Sequence, residues 1–386
     1  MDFLYSIDWM LIGFFLAKTI FVLVVVLTMV SYTVYAERRV SALIQDRLGP
    51  NRVGFPITLL GAKKDFSPIL GGLGQPIADA VKLLIKEDFT PAHVNKFYYW
   101  IAPALGIGAV IVSLAVIPFG STFLGVPMVI ANVNIGPLFI FAISSLGVYG
   151  IVLAGWSSNS KYSFLGGIRS SSQMISYELS LGLSVIPLFI ILGTLNLPDI
   201  VTYQAKNGWL LIPLTNGHFP TLRETLLWIP VCISFLVFTI SMFAETNRLP
   251  FDLPEAEQEL VGGYHTEYSS MKFALFFLGE YAAMIAGSSL IVTLFLGGWH
   301  CPFIPDGAGA GGLDAFHALP PWFWGLVNIA VFFGKVALLL LFFIWVRWTL
   351  PRFRYDQLMR LGWIFFFELA LINVFLAAAI VAFLPN

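Results

Sequence analysis

Five ionisable side chains stand inside long apolar runs of this sequence: Lys18, Glu178, Glu280, Lys335 and Glu368, with Glu245 closing a further run. A charge at the centre of a bilayer costs roughly 2.5–3.5 kcal/mol on insertion scales. Acids at that depth face a bundle interior or a wet cavity, and desolvation moves them toward the range in which a carboxyl exchanges protons. The chemistry these residues could do is therefore proton transfer. Glu178 lies in SSSQMISYELSLGLS, where hydroxyls could support water, and Glu280 lies in FFLGEYAAM; for both, function is the favoured reading. For Lys18, Lys335 and Glu368 the structural reading is favoured: snorkelling at a helix end for Lys18, interhelical bonds for the others.

A second concentration of charge is FAETNRLPFDLPEAEQE, residues 243–259, where Glu245, Asp252, Glu255, Glu257 and Glu259 surround Arg248. Asp252 followed by Pro254 and Glu255 reads as a helix start, a variant capping box with proline in the first turn. Capping accounts for Asp252 and Glu255 and leaves Glu245, Glu257 and Glu259. Glu255 and Glu259, at i and i+4, repel one another on one helix face. Such an acidic face calls for a cation, a partner's arginines or a proton path.

Other chemistries find little support. The five histidines, at 93, 218, 265, 300 and 317, fall outside the apolar runs, so paired haem ligands within a bundle are not expected. Cys232 and Cys301 are far apart and form no CxxC pair, which excludes a cysteine-ligated iron–sulfur cluster or zinc knuckle built from this chain alone. No metal site is expected. The formal net charge of −1 argues against nucleic acid as a partner.

The elements that must position these groups follow from composition. Of 386 residues 58% are apolar and 11% charged, against roughly 25% charged in soluble domains. Eight segments reach the length of about 20 apolar residues that a crossing helix needs: Trp9–Val34, Tyr98–Phe119, Ile135–Trp156, Gln173–Gly193, Thr225–Ala244, Met271–Gly297, Pro321–Trp345 and Gly362–Leu384. The first is too long for a signal peptide and is preceded by Asp2 and Asp8 instead of a basic region, so it reads as a retained span. The linkers after the first, third, fifth and seventh spans hold most of the 21 basic residues, whereas the opposite linkers hold only Lys206 and Arg223. The positive-inside rule then places both termini on the outer side. The fold expected is all-α, one integral membrane domain over 1–386, with a cytoplasmic amphipathic linker at 36–97 and an acidic cytoplasmic loop at 244–271. Within the first linker, ERRVSALIQDRL aligns Val40, Leu43, Ile44 and Leu48, and QPIADAVKLLIKEDFTP aligns Ile77, Val81, Leu84 and Ile85. Helices of that kind lie in the membrane interface among lipids or pack on a partner. Outer stretches such as CPFIPDGAGAGG read as simple surface loops.

FAETNRLPFDLPEAEQELVGGYHTEY followed by FALFFLGEYAAMI closely resembles the quinone-site membrane subunits of respiratory complex I, the family found in bacterial NADH–quinone oxidoreductases and, as a counterpart, in mitochondria. Blocks 36–54 (AERRVSALIQDRLGPNRVG), 72–91 (GLGQPIADAVKLLIKEDFTP), 160–181 (SKYSFLGGIRSSSQMISYELSL) and 349–363 (TLPRFRYDQLMRLGW) agree with the same family, in order. About fifteen residues near Phe55–Leu70 lengthen the first linker relative to many members, and Glu368 stands where members commonly have an uncharged residue.

The resemblance implies eight spans with both ends outside, in the bacterial inner membrane. Inner loops would dock against peripheral subunits of complex I and other membrane subunits, and would form much of a tunnel for the substrate, a membrane quinone such as ubiquinone. FMN and iron–sulfur clusters would belong to partner subunits only. Glu37, Arg38 and Arg47 would line or brace the tunnel, and Arg248, Asp252, Glu255, Glu257 and Glu259 would form the loop that meets the quinone cavity. Glu178, Glu245, Glu257 and Glu280 match acids that lead protons from that cavity into the membrane, with Glu224 a weaker candidate. The readings weighed against this are an equivalent subunit fed by ferredoxin, F420 or hydrogen, and a stand-alone ion-coupled transporter.

Overall fold

The computed structural model describes residues 9–51, 53, 72–123, 126–212, 222–252, 261–302 and 320–384. Helices dominate: α1 (Trp9–Ile44), α2 (Gln75–Ile85), α3 (Lys96–Leu114), α4 (Gly136–Ser157), α5 (Lys161–Leu192), α6 (Leu197–Asn207), α7 (Leu222–Glu245), α8 (Ser270–Phe295), α9 (Pro321–Thr349), α10 (Tyr355–Arg360) and α11 (Phe367–Phe383). A π-helical turn, Leu361–Phe366, joins the last two into one rod. The only sheet among the described residues is a small hairpin, β1 (Thr122–Phe123) with β2 (Val126–Pro127). Among the described residues, eight helices are long and apolar enough to cross a membrane: α1, α3, α4, α5, α7, α8, α9 and the α10–α11 rod. The chain is an integral membrane protein.

Two elements differ from the sequence reading. ERRVSALI is not a separate interfacial helix; it continues α1 without a break to Ile44. At 36 residues α1 spans roughly 54 Å, longer than a straight crossing of a hydrocarbon core of about 30 Å needs. The linker after α5 also proves to be ordered: residues 197–207 form α6, begun by Asn196, whose side chain accepts from the Asp199 amide, with Pro198 in the first turn. Asn–Leu–Pro–Asp is a helix-start signal that a loop reading passes over. Most of CPFIPDGAGAGG lies outside the described residues.

Helix α8 is the axis of the bundle, and every residue from Met284 to Phe295 is buried. Its C-terminal end is clamped. Lys335 of α9 donates to the carbonyls of Leu296, Gly298 and His300 at 2.7, 2.9 and 2.6 Å. Gln204 of α6 donates to Thr293 and Leu294 and accepts from the Gly297 amide. These bonds satisfy carbonyls that a helix end leaves open, and a cation there complements the helix dipole. Lys18 likewise donates to the Val129 carbonyl at 3.0 Å, tying α1 to the β-hairpin. Both lysines thus bind main-chain carbonyls, and Lys18 does so instead of snorkelling.

At the other end, α8 begins with Lys272, 3% exposed, which binds Asp88 at 3.0 Å and Thr90 at 2.6 Å and lies 4.2 Å over the Trp100 ring. Close backbone approach sets the neighbouring contact: a Cβ on Gly166 of α5 would meet Gly263 Cα at 2.8 Å. Only glycine lets the turn Gly263–His265 lie against that helix.

Candidate functional site

The chain leaving α7 is built to turn sharply. Asn247 adopts a left-handed φ of 49°, the conformation with which helices commonly end and which asparagine tolerates. Gln173 of α5 then anchors the exit: its amide nitrogen donates to the Ala244 carbonyl (2.9 Å), Asn247 Oδ1 (3.2 Å) and the Phe251 carbonyl (2.8 Å). Turn and anchor together aim Arg248 back into the bundle between α1 and α8.

Arg248 is 4% exposed and sits among acids from two helices. Its Nε is 2.6 Å from Glu280 of α8 and its Nη1 is 3.5 Å from Glu37 of α1. The Glu280 contact is an ion pair without an aligned hydrogen bond, since Nε and Nη2 have no well-placed acceptor among the described residues. The guanidinium also lies 4.2 Å from the centre of the Tyr281 ring, a cation–π arrangement. Glu37 additionally accepts from Tyr281 Oη and from Arg347 of α9. Burial works against the Arg248 charge, but Glu280, Tyr281 and Glu37 outweigh it and hold its pKa above the ordinary arginine value. A few residues on, Asp252 lies 3.3 Å from Arg352. Burial raises the Asp252 carboxyl pKa, with Arg352, Arg347 and Arg248 pulling the other way.

Directly behind this ion cluster lies a cavity of about 130 Å³ between α3, α4, α5, α7 and α8. Glu178, Glu245 and Glu280 all line it. The room comes from small residues where large ones would otherwise pack, among them Gly106, Gly147, Gly279, Ala283 and Gly287. Ser145 donates to the Glu178 carboxylate. Glu245 Oε2 is buried with no hydrogen-bond partner among the described residues, so the cavity has an open acceptor. Such a site suits water, which seeks two to four polar partners. The rest of the lining is mostly apolar.

Two further hollows lie toward the end of α1 that carries Glu37. One, of about 690 Å³, runs between α1, α2 and α8, with Val30, Val34, Leu83, Phe273 and Phe277 on its walls. Arg38 and Asp79, ion-paired at 2.7 Å, stand in its lining. The other, of about 650 Å³, is lined by Arg38, Arg47, Gln75 and Asn51. The first hollow is lined mainly by apolar side chains, and its neighbour mainly by polar side chains and backbone.

This combination of an apolar hollow, an arginine–acid cluster and an acid-lined cavity is accompanied by similarity along the chain. A family model described as NADH dehydrogenase matches residues 17–378. The chain belongs to the NADH dehydrogenase family. It is 46% identical over 367 residues to an NADH-quinone oxidoreductase H-type subunit (form 1) of Geobacter metallireducens, covering 94% of this chain and 95% of that relative. It is 47% identical over 369 residues to the NADH-quinone oxidoreductase H-type subunit of Rickettsia prowazekii, covering 96% and 94%.

In this NADH dehydrogenase family member the residues nominated from sequence divide into groups. Glu178, Glu245 and Glu280 meet at one cavity, and Glu37, Arg248 and Glu280 meet in one ion cluster. Arg38 and Arg47 meet at the polar hollow. Asp252 faces Arg352, while Glu255, Glu257 and Glu259, with the helix start proposed for them, lie outside the described residues. Glu224 is not brought to the cavity: it is exposed in the first turn of α7, roughly 30 Å along the helix from Glu245. Sequence reasoning missed Arg347, Arg352, Tyr281 and Ser145. Arg347 carried a readable signal, a basic residue closing a span, but nothing local pairs it with Glu37, 310 positions away.

Proposed function

We propose that this chain is the quinone-site membrane subunit of a proton-translocating NADH–quinone oxidoreductase, seated in a bacterial inner membrane with both ends outside. The names of its relatives support membership of that complex, and the two hollows support a quinone path. The tail would lie in the apolar hollow between α1, α2 and α8, and the head would pass Arg38 and Arg47 toward peripheral partner subunits. Those partners would carry the FMN and iron–sulfur clusters that deliver electrons.

The single observation that carries the coupling is the position of Glu280. One side of it faces Arg248; the other faces the cavity shared with Glu178 and Glu245. A quinone gaining electrons develops negative charge near the 248–252 loop and attracts Arg248. A buried carboxylate that loses its cation is driven to take up a proton, and a protonated Glu178 or Glu245 can pass one on through water held between them, becoming a carboxylate in turn. When Arg248 returns, Glu280 gives the proton up into the membrane's polar interior. Glu37, held by Tyr281 and Arg347, keeps Arg248 within reach throughout.

The test is Glu178→Gln and Glu280→Gln in the assembled complex, with quinone reductase and proton pumping measured together. Both activities should fall in parallel. Full coupled activity with both carboxamides present overturns the relay.

A further inference from the structure

Among the described acids at membrane depth, Glu368 alone belongs to neither the cavity nor the ion cluster. It lies within the apolar run from Leu361 to Leu384, roughly 12 Å beyond Arg360 along the rod. Helix α11 and its π-turn pack inward by a regular stripe: Gly362, Phe366, Ala370, Asn373 and Ala377. Asn373 fixes that stripe by donating to the Pro230 carbonyl and to Ser234 Oγ of α7, both at 3.0 Å. At about 100° per residue, Glu368 stands about 140° round the helix from Asn373. It is exposed, and no hydrogen bond or ion pair reaches it from the described residues.

Its companions on that side are apolar: Leu371, Ile372 and Phe375 are 39%, 64% and 68% exposed. A lone carboxylate on such a face is costly against lipid tails. Glutamate is also too short to snorkel to the interface as lysine does. The turn just before it is π-helical, a rare departure that collects at functional positions. A second copy of the chain packed symmetrically on this face would bring Glu368 against its own like charge, so self-association fits badly.

We propose that this face of α11 docks a transmembrane helix of another subunit, which brings a lysine or arginine side chain to Glu368. The apolar neighbours supply helix-on-helix packing, and the ion pair fixes register and partner identity. The proposal rests on the reading of the chain as a subunit of a larger membrane complex.

The experiment uses the assembled complex in its native membrane. A photo-crosslinking amino acid at Ile372 should couple to one span of a companion subunit, carrying a Lys or Arg within about one helical turn of the linked residue. Glu368→Lys should then lower recovery of that companion with the complex by roughly tenfold or more. Exchanging the companion's basic residue for Glu in the same strain should restore recovery. Crosslinks to lipid alone, to a second copy, or to a span with no basic side chain overturn the proposal, as does unchanged recovery in Glu368→Lys. If the wild-type chain purifies with no companion membrane subunit, the subunit reading fails as well; a companion present with lipid-only crosslinks sinks the Glu368 contact alone.

Discussion

Arg248 Nε and the Glu280 carboxylate lie 2.6 Å apart with both side chains almost wholly buried, at 4% and 11% exposure. One partner comes from the loop after α7, and the other belongs to the central helix and faces the acid cavity as well. This contact therefore joins the charged loop to the acid-lined cavity behind it, and removing either partner has a predictable effect.

Arg248→Ala leaves Glu37 and Glu280 buried together without their shared cation. Breaking a buried pair from one side costs about 3–5 kcal/mol, so the complex should assemble poorly and melt early. Adding Glu280→Gln to Arg248→Ala removes one stranded charge and should recover part of that loss while activity stays absent. Thermal melts of detergent-solubilised complexes from the single and double variants check this.

Gly106 offers a way to fill the cavity without disturbing its walls. A Cβ built there has nothing within 4 Å, so Gly106→Ala should be tolerated. Gly106→Leu should occupy the space between the acids and lower proton pumping by roughly tenfold or more, because a filled cavity holds no proton-carrying water. Assembly should stay normal in both variants, as read from native gels alongside pumping assays.

His265 supplies a pH signature. Burial lowers its pKa from 6.5 to about 4, so the folded loop holds a neutral imidazole. The unfolded chain protonates first as pH falls, and the fold binds fewer protons. The stabilisation is therefore complete above about pH 6.5 and is lost progressively between there and about pH 4. His265→Gln should flatten that part of the stability profile, measured as melting temperature against pH.

Lys335→Met should loosen the clamp on the C-terminal end of α8. The carbonyls of Leu296, Gly298 and His300 would lose a common donor. A cost of about 1–3 kcal/mol is expected for buried acceptors left open. Melting temperature should drop, while quinone reductase activity at low temperature should be retained, since the acid cavity and ion cluster lie elsewhere. A selective loss of activity with unchanged stability would show that the lysine has another role.

Much of the fold was legible because membrane insertion is decided locally. Whether a segment such as 271–297 enters a bilayer depends on its own composition, so all eight crossings could be read from sequence. The same locality made α2 readable from Ile77, Val81, Leu84 and Ile85 after Pro76, and marked Glu178, Glu245 and Glu280 as acids in costly places. It also misled where signals overlap: α1 runs on through ERRVSALI because no breaker precedes Gln45, and α6 hides in a polar-looking linker.

Which of these residues meet was another matter. Glu178, Glu245 and Glu280 share a cavity only because α5, α7 and α8 converge, with glycines and alanines leaving space between them. Arg248 reaches Glu280 only because Asn247 turns the chain left-handed and Gln173 pins it. Arg347 joins Glu37 across nearly the whole sequence. The sequence by itself determined which segments enter the membrane and which acids are expensive there, since both are properties of residues against lipid. Tertiary structure alone decided the partners and the space between them, because those depend on packing among helices far apart in the chain.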